Sequence, residues 1–443
     1  MKQLSMYKII EKKKKAKQLT KEDIDFFIDG VVNESIPNYQ TTALLMAIDL
    51  MGMSAQETAW LTSKMLYSGR VVTFKGDEFV DKHSTGGIGD KASLILGPIA
   101  AACGVKVPMI AGRGLGHTGG TIDKLESIPG FKTKINLKQF QANVIQNGLC
   151  IIGQTKEIAP ADGKIYALRD VTATIDNIPL ITASIMSKKL AEGANGLVFD
   201  IKIGNGAFMK NKAIARKLSK SIIDTATRFD KKAVTLLTDM NQPLGRAVGH
   251  SNEIIECIEV LKGNFLKEDL AKLSIELASY MILFAQKATS LTKARKMAKN
   301  SINNGDALKK FKEIIELQGG DSNCLTNYDL LKIAPEESDI LAPSTGYIKS
   351  FQNKEIGYLL IELGGGRKTQ KQKIDHQVGI YFHKKVGDYV KKGEKIATIN
   401  HHKNQKNSVE LLINKFIDKS IKLSASRVDR PTLIYDIYSN QKI

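Results

Sequence analysis

The chain has 443 residues, of which 42% are hydrophobic, and a formal net charge of +19. This length exceeds that of one ordinary domain and predicts two or three domains with a substantial buried core. The longest apolar region, residues 92–112, is interrupted by glycines, prolines and a lysine. These interruptions exclude an uncharged membrane-spanning helix and indicate a buried helix and strand.

The positive charge is spread along the chain and forms no single patch. The densest basic run, residues 12–15, has no interleaved aromatic side chains that could stack on bases, so no nucleic-acid partner is expected. The first residues contain no apolar signal region, and the four cysteines form no CxxC pair. These features predict a cytoplasmic protein with reduced cysteines and no membrane partner.

The N-terminal region carries several helix signals. Thr20 precedes two acidic residues, as an N-cap precedes the acidic residues of a first helical turn. Over residues 39–68, apolar residues recur at spacings of three and four, which indicates further helices. We therefore predict a helical domain over residues 1–70. A later helical pattern at 183–194 could return to this domain, so residues 160–195 are expected to join it.

From Asp81 onward, apolar runs such as residues 197–203 alternate with glycine-rich turns and helical patterns. This alternation is typical of an α/β domain with a mostly parallel sheet. The predicted limits of that domain are residues 71–159 and 196–333.

A segment rich in proline and acidic residues, 334–344, predicts a domain boundary. Beyond it, short strand-like runs alternate with turns, and residues 345–443 are predicted to form a C-terminal α+β domain. Within that domain, residues 386–394 resemble the hammerhead turn of biotinyl and lipoyl domains. The modified lysine of those domains is absent, so the likeness concerns the fold only.

Residues 81–93 form a glycine-rich segment between a predicted strand and an apolar helix. Glycines allow backbone N–H groups to approach an anion, the hydroxyls of Ser84 and Ser93 can donate to it, and Lys82 supplies charge. Phosphate is the expected guest, although a plain glycine turn with polar surface residues remains an alternative. The segment is not a Walker A loop, because one residue separates the glycine from the lysine.

A second glycine-rich segment, residues 112–126, contains a formal GxGxxG pattern. No acidic residue occurs from 127 to 156, where a dinucleotide fold needs one for the ribose, so an NAD site is rejected. The seven histidines offer no metal-ligand spacing. His83 lies inside the anion loop and is therefore a candidate acid–base group.

A third polar group comprises Arg169 with Ser184 and Lys188, which are four residues apart on a predicted helix and share one of its faces. These donors could bind a planar ring rich in carbonyl groups, such as uracil. The alternative is an ordinary solvated face of a lysine-rich helix.

Together these segments resemble the thymidine and pyrimidine-nucleoside phosphorylase family, and pyrimidine-nucleoside phosphorylase most closely. The resemblance covers nearly the whole chain and includes residues 82–87, 112–126, 166–174, 181–193, 238–241 and the region from 346 onward. It implies a helical domain, an α/β domain and a C-terminal α+β domain, paired as a homodimer through the helical domains.

The resemblance implies reversible phosphorolysis of uridine, thymidine and deoxyuridine to the free base and a pentose 1-phosphate, as in nucleoside salvage. Inorganic phosphate would be the co-substrate, with no organic cofactor. By resemblance, the phosphate would be bound by Lys82, Ser84, Ser93 and Thr121. The base would be held by Tyr166, Arg169, Ile181, Ser184 and Lys188. The catalytic residues would be Arg169, Lys188 and a protonated His83.

Two positions depart from the family pattern. Ala111 stands where members usually have a serine, which predicts weaker phosphate binding. Lys91 replaces a threonine that helps some members to bind a potassium ion, together with positions matching Gly89, Leu244, Ala247 and Glu256. The Lys91 ammonium could take the place of the cation, or the side chain could extend to solvent.

Other functions remain as alternatives. A thymidine phosphorylase restricted to deoxyribonucleosides is the nearest, and an anthranilate-type phosphoribosyltransferase is the next. A binding protein without catalytic activity is the alternative from another class, supported only by the net charge and the hammerhead-like segment. Because the phosphate and base residues fall in different predicted domains, we also expect a cleft that closes around the substrates.

Overall fold

The computed structural model describes residues 4–114, 116–369 and 372–442. These ranges leave out residue 115, which belongs to the stretch 112–126. They also leave out residues 1–3, 370, 371 and 443, which belong to the predicted terminal domains. The elements form a helical part, an α/β part and a C-terminal part rich in strands, which confirms the predicted fold class. Across the described ranges, no helix has the length and apolar character needed to cross a membrane.

The helical part is discontinuous in sequence. Its helices are α1 (Met6–Lys14), α2 (Lys21–Val32), α3 (Asn38–Met51), α4 (Ala55–Leu66), α8 (Pro160–Val171) and α9 (Ile178–Ala191). As the sequence predicts, Thr20 caps α2: its hydroxyl accepts a hydrogen bond from the Asp23 amide, and the Asp23 carboxylate accepts one from the Thr20 amide. α8 and the first half of α9 bury apolar residues against α2, α3 and α4, whereas the second half of α9 packs on the α/β part.

The α/β part contains alternating strands and helices. In chain order these are β1 (Val80–Ser84), α5 (Ser93–Ala102), β2 (Val107–Ala111), α6 (Thr121–Leu125), α7 (Leu137–Asn147), β3 (Leu149–Gly153), β4 (Gly196–Ile203), α10 (Lys212–Arg228), β5 (Lys232–Asp239), β6 (Ala247–Gly249), α11 (Ser251–Leu261), α12 (Asp269–Phe284), α13 (Leu291–Asn303) and α14 (Asp306–Leu317). The apolar region at 92–112 forms the buried helix α5 and strand β2, as expected.

The strands β1, β4 and β5 are parallel neighbours. β2 and β3 form a second parallel pair, and a parallel bridge between Phe79 and Lys106 places β2 beside β1. The carboxyl ends of β1 and β2 therefore open toward the same edge, which is where ligands bind in open α/β sheets.

The C-terminal part comprises β7 (Glu336–Leu341), β8 (Gly346–Phe351), α15 (Asn353–Glu362), β9 (Gly379–Phe382), β10 (Tyr389–Val390), β11 (Lys395–His401), α16 (Lys406–Lys419), β12 (Ile421–Ser424) and β13 (Ile434–Ser439). Its two antiparallel sheets have the strand orders β6-β9-β11-β7 and β10-β8-β12.

Strands on either side of the predicted boundary near residue 345 pair with strands of the other side. β7 begins before it but pairs with β11, and β6 of the α/β part pairs with β9. β13 returns to the α/β sheet and pairs antiparallel with β5. The two parts therefore share strands, because each sheet covers an edge that the other part leaves open.

Candidate active site

A cavity of about 580 Å³ opens between the carboxyl ends of β1 and β2 on one side and the helices α8 and α9 on the other. The residues that line it include every phosphate-binding, base-binding and catalytic candidate from the sequence, together with Ala111: Lys82, His83, Ser84, Ser93, Ala111, Thr121, Tyr166, Arg169, Ile181, Ser184 and Lys188. The structure thus brings residues from several separate segments into one cleft.

The anion end of this cavity is built on the last residues of β1 and the first of α5. Lys82 and Ser84 share one face of β1 because side chains alternate along a strand. The Lys82 ammonium lies 3.3 Å from the Ser93 hydroxyl, and the Ser84 hydroxyl accepts a hydrogen bond of 3.1 Å from the Gly86 amide. Burial is the main cause that lowers the pKa of Lys82, so an arriving anion would find a poorly solvated cation.

One residue at the anion end was not predicted from the sequence. Asp90 accepts a hydrogen bond from the Ser84 hydroxyl, and its other carboxylate oxygen is buried without a hydrogen-bond partner in the described structure. Burial alone would raise the pKa of Asp90, but the charges of Lys202 and Lys82 lower it below its ordinary value. The only signal was an acidic residue inside a predicted anion loop, and its burial depends on lysines distant in sequence.

The base end is formed by α8 and α9. The Lys188 ammonium donates to the Ser184 hydroxyl at 3.0 Å, as their four-residue spacing allows, and lies 5.9 Å from the centre of the Tyr166 ring. Arg169 is buried, and three of its N–H groups donate to backbone carbonyls at 2.8–3.2 Å. These bonds orient the guanidinium before any ligand arrives.

Asp162 is a second residue that was not predicted from the sequence. Its buried carboxylate forms a very close ion pair with Lys188, while its second oxygen is buried without a hydrogen-bond partner among the described residues. Asp162 lies on α8 and Lys188 on α9, so their contact depends on helix packing and not on sequence spacing.

His83 lies between the two ends and faces the cavity. Its pKa is lowered well below the ordinary value of 6.5, first by burial and then by the positive charges of Lys189, Lys188 and Lys82. The expected protonated form of His83 is therefore disfavoured in this cleft. Of these three lysines, only Lys82 is close to His83 in the sequence. The other two, on α9, could not be assigned to His83 from the sequence.

A buried charge cluster supports the wall of the cavity behind His83. Lys189 donates to Asp81 at 2.7 Å, to the Ile110 carbonyl at 3.0 Å and to Glu192 at 2.9 Å. Burial raises the pKa of Glu192 well above its ordinary value. The lysine-rich helix is therefore not a solvated face here, because Lys189 ties α9 to β1 and β2.

Lys91 lies outside the cavity lining, in a buried cluster of its own. Its ammonium donates to the Leu244 carbonyl at 2.9 Å and lies 2.8 Å from the Glu256 carboxylate. The same carboxylate accepts from the Ala247 amide, and a Cβ built on Gly89 would stand 2.6 Å from the Leu244 carbonyl. The five positions named for a cation site are thus together in the fold.

The Lys91 ammonium contacts two of the positions named for the cation, the Leu244 carbonyl and the Glu256 carboxylate. Burial alone would lower the pKa of Lys91, but Glu256 and Glu253 raise it above its ordinary value, so the ammonium remains charged. Among the described residues, no group of three or more His, Cys, Asp or Glu side chains could hold a metal ion.

Three family models match successive parts of the chain. They are the glycosyl transferase family helical bundle domain at residues 7–69, the glycosyl transferase family a/b domain at 76–308 and the pyrimidine nucleoside phosphorylase C-terminal domain at 347–424. The a/b model alone matches more than half of the chain.

Full-length relatives and a solved structure agree with this match. The chain is 44% identical to the pyrimidine-nucleoside phosphorylase of Geobacillus stearothermophilus and 45% identical to that of Staphylococcus haemolyticus, covering 98% of this chain and 99% of each relative. Anthranilate phosphoribosyltransferase from Thermus thermophilus is similar in fold alone, with a TM-score of 0.58 and 16% identity over 70% of this chain and 99% of that one. The chain belongs to the pyrimidine-nucleoside phosphorylase family.

Proposed function

We propose that this enzyme catalyses the reversible phosphorolysis of pyrimidine nucleosides to the free base and ribose or deoxyribose 1-phosphate, a reaction of nucleoside salvage. The observation that carries the proposal is one cavity with a lysine and two serine hydroxyls at one end and Arg169, Ser184 and Lys188 at the other. A nucleoside bound with its base among the second set would present its sugar toward the first set.

The proposed chemistry assigns a role to each end of the cavity. An oxygen of phosphate forms a bond to C1′ of the sugar as the bond from C1′ to the base nitrogen breaks, and the bonding electrons leave with the base. Negative charge then spreads over the ring and its carbonyl oxygens, and we expect Arg169 and Lys188 to stabilise it. Lys82 and the two serine hydroxyls orient the attacking phosphate.

We expect a broad range of nucleosides, with uridine, deoxyuridine and thymidine all cleaved. Support comes from Ala167 and Ser187, which flank the base-binding residues and resemble the broad-specificity members of the family. Phosphate-dependent release of base from the three nucleosides is the direct test. Activity on the two deoxynucleosides with none on uridine would instead identify an enzyme restricted to deoxyribonucleosides.

The role of Lys188 is tested by replacing its charge. Lys188→Met should lower kcat by about 100- to 1000-fold, the usual effect of removing a group that stabilises charge in a transition state. Lys293→Met is a matched control, because Lys293 is exposed on α13 and its ammonium donates to the Thr289 hydroxyl at 3.0 Å, away from the cavity. Equal activities of the two variants would contradict the role given to Lys188.

We further propose that the Lys91 ammonium replaces a bound potassium ion. The wild-type enzyme should then have the same activity and melting temperature in potassium and sodium buffers. Lys91→Thr should lose stability in sodium and regain it in potassium, whereas Lys91→Met, which lacks the hydroxyl, should regain less. Wild-type activity that rises steeply with added potassium would contradict the proposal.

We propose a homodimer formed through the helical part. α1 and α3 expose large apolar side chains, with Tyr7 and Tyr39 each 74% and Leu50 69% accessible, as an uncovered interface would. Sedimentation should give twice the chain mass of 48.7 kDa. Leu50→Glu should shift the mass toward the monomer, while Leu411→Glu, at an equally exposed site on α16, should not.

We also propose that the enzyme is located in the cytoplasm. All four cysteines are free, and three of them are buried. Free thiols are maintained in reducing compartments, where nucleoside salvage would also find its substrates.

A further inference from the structure

Asp123 anchors the glycine-rich loop that lines the anion end of the cavity. It is the third residue of α6, two positions after Thr121, and its side chain is 1% exposed. Its carboxylate accepts hydrogen bonds from the Gly114 amide at 2.7 Å and from the Arg113 guanidinium at 2.8 Å. One buried carboxylate thus joins the beginning of the loop to the helix that follows it.

A residue from the C-terminal part completes this anchor. The Arg367 guanidinium donates to both oxygens of Asp123, at 2.7 and 3.2 Å, although the two residues are 244 positions apart in the chain. Arg367 lies on the segment between α15 and β9, and its side chain is 21% exposed. A bidentate pair of this kind fixes orientation as well as distance.

The loop needs such anchors because glycines give it little intrinsic order. Gly112, Gly114, Gly119 and Gly120 all line the cavity, and glycine loses more conformational entropy on ordering than any other residue. Gly114 and Gly120 approach so closely that a Cβ on Gly120 would stand 2.1 Å from the Gly114 nitrogen. A shift of Asp123 would therefore move the backbone that lines the anion end of the cavity.

Charge at the anchor is balanced, because Arg113 and Arg367 face the carboxylates of Asp123 and Glu126. Two arginines face the single carboxylate of Asp123, and one of them, Arg113, lines the cavity and also forms a bidentate pair with Glu126. Without Arg367, the buried Asp123 would be less fully compensated and would repel an anion nearby.

We propose that Arg367 is a positioning residue for phosphate, acting through Asp123 on the loop at residues 112–121. This inference rests on the proposed function, since phosphate is the anion it assigns to that end of the cavity. Arg367 does not itself line the cavity. Its effect should therefore appear in phosphate binding and not in binding of the nucleoside.

The test compares variants at Arg367 with a matched arginine. Arg367→Gln should raise the KM for phosphate by about tenfold, because the loop loses its bidentate anchor and its phosphate-binding groups are misplaced, with the KM for uridine changed by less than about twofold. Arg367→Lys keeps the charge but not the bidentate geometry and should fall between the wild type and Arg367→Gln. Arg430→Gln is the control, because it removes an exposed ion pair to Asp388 in the same part of the chain.

Two further measurements separate positioning from general destabilisation and from failure of the proposed function. Calorimetric titration with inorganic phosphate alone should show the same tenfold loss for Arg367→Gln, whether or not uridine is a substrate. Asp123→Asn should weaken phosphate binding, and the double variant should be no weaker than the worse single variant, because both residues act through one contact. Equal rises in both KM values, additive effects, or a lower melting temperature with unchanged phosphate affinity would each overturn the proposal.

Discussion

At the scale of single residues, Ala111 ends β2 at the lining of the anion end, where a hydroxyl would face the cavity. Ala111→Ser should lower the KM for phosphate by about fivefold, since one neutral hydrogen bond contributes about 1 kcal/mol. Steady-state kinetics at varied phosphate would measure the change. Ala102→Ser, at the end of α5 and outside the cavity lining, should leave the KM unaltered, and an unaltered KM in Ala111→Ser would contradict the expectation.

His83 should make the stability of the protein depend on pH. Its folded pKa lies below the unfolded value of 6.5, so the unfolded chain binds more protons between these values. Stability is then fully present above pH 6.5 and declines as pH falls toward the folded pKa, by up to about 1.4 kcal/mol per pH unit. Urea unfolding at a series of pH values from neutral to mildly acidic should show a smaller decline for His83→Asn than for the wild type.

Phosphate should reverse the shift at His83. A bound dianion beside the ring favours the imidazolium form, so an NMR titration of the His83 ring with phosphate present should give a higher pKa than without it. An unchanged titration curve would place the anion elsewhere.

Residue types and spacing were enough to predict which side chains line the cavity. They did not predict which distant residues those side chains contact. Ser184 and Lys188 could be paired from their four-residue spacing, because a helix repeats about every 3.6 residues. Asp162 and Arg367 could not be assigned, because their partners lie 26 and 244 positions away. Such contacts follow from how helices and domains pack, which local sequence does not encode.

At the scale of elements, α15 presses directly on the glycine-rich loop. A Cβ built on Gly357 within α15 would stand 2.2 Å from the His117 carbonyl. Gly357→Ala should therefore lower the melting temperature and weaken phosphate binding, although alanine normally stabilises a helix interior by about 1 kcal/mol.

Gly163→Ala on α8 is the matched comparison for this helix effect. A Cβ at Gly163 meets no atom within 4 Å, so the substitution should raise the melting temperature. If both variants changed the melting temperature in the same direction, the close contact between α15 and the loop would not govern stability.

The sequence predicted individual helices and strands where they contain buried apolar runs. The run at 197–203 forms most of β4, and the helix expected at 183–194 appears as α9, which begins five residues earlier, at Ile178, and ends at Ala191. The early start reflects Asn177, whose side chain caps the helix by accepting from the Leu180 amide. The predicted start at residue 183 is too late, because the spacing of apolar residues does not mark the residue that caps a helix.

At the scale of the whole molecule, the anion residues lie in the α/β part and the base residues on α8 and α9, and α9 packs against α10. Thr182 on α9 donates to Ser221 on α10 at 2.8 Å, and neither residue lines the cavity. The expected closure would narrow the cleft and bring phosphate toward the sugar.

Small-angle scattering can test this closure. The radius of gyration should decrease when phosphate and uracil are added together and should change less with either alone. Identical scattering with both, either or neither ligand would exclude a closing cleft.

The fold class of the three parts could be predicted from composition shifts, but the strand exchange between the α/β part and the C-terminal part could not. β13 has no glycine-rich turn or alternating pattern that points to a distant sheet. It is placed by contacts such as the hydrogen bond from Tyr435 to Asp239, which are 196 positions apart.

This exchange has a consequence for synthesis of the chain. Until residues 434–439 leave the ribosome, β5 presents an unpaired edge, and pairing across such a distance is slow because a long loop must close first. An exposed edge strand invites pairing with another chain. The nascent chain is thus prone to aggregate after β5 is made and before β13 pairs with it. A chaperone that shields the edge of β5 would act during this interval.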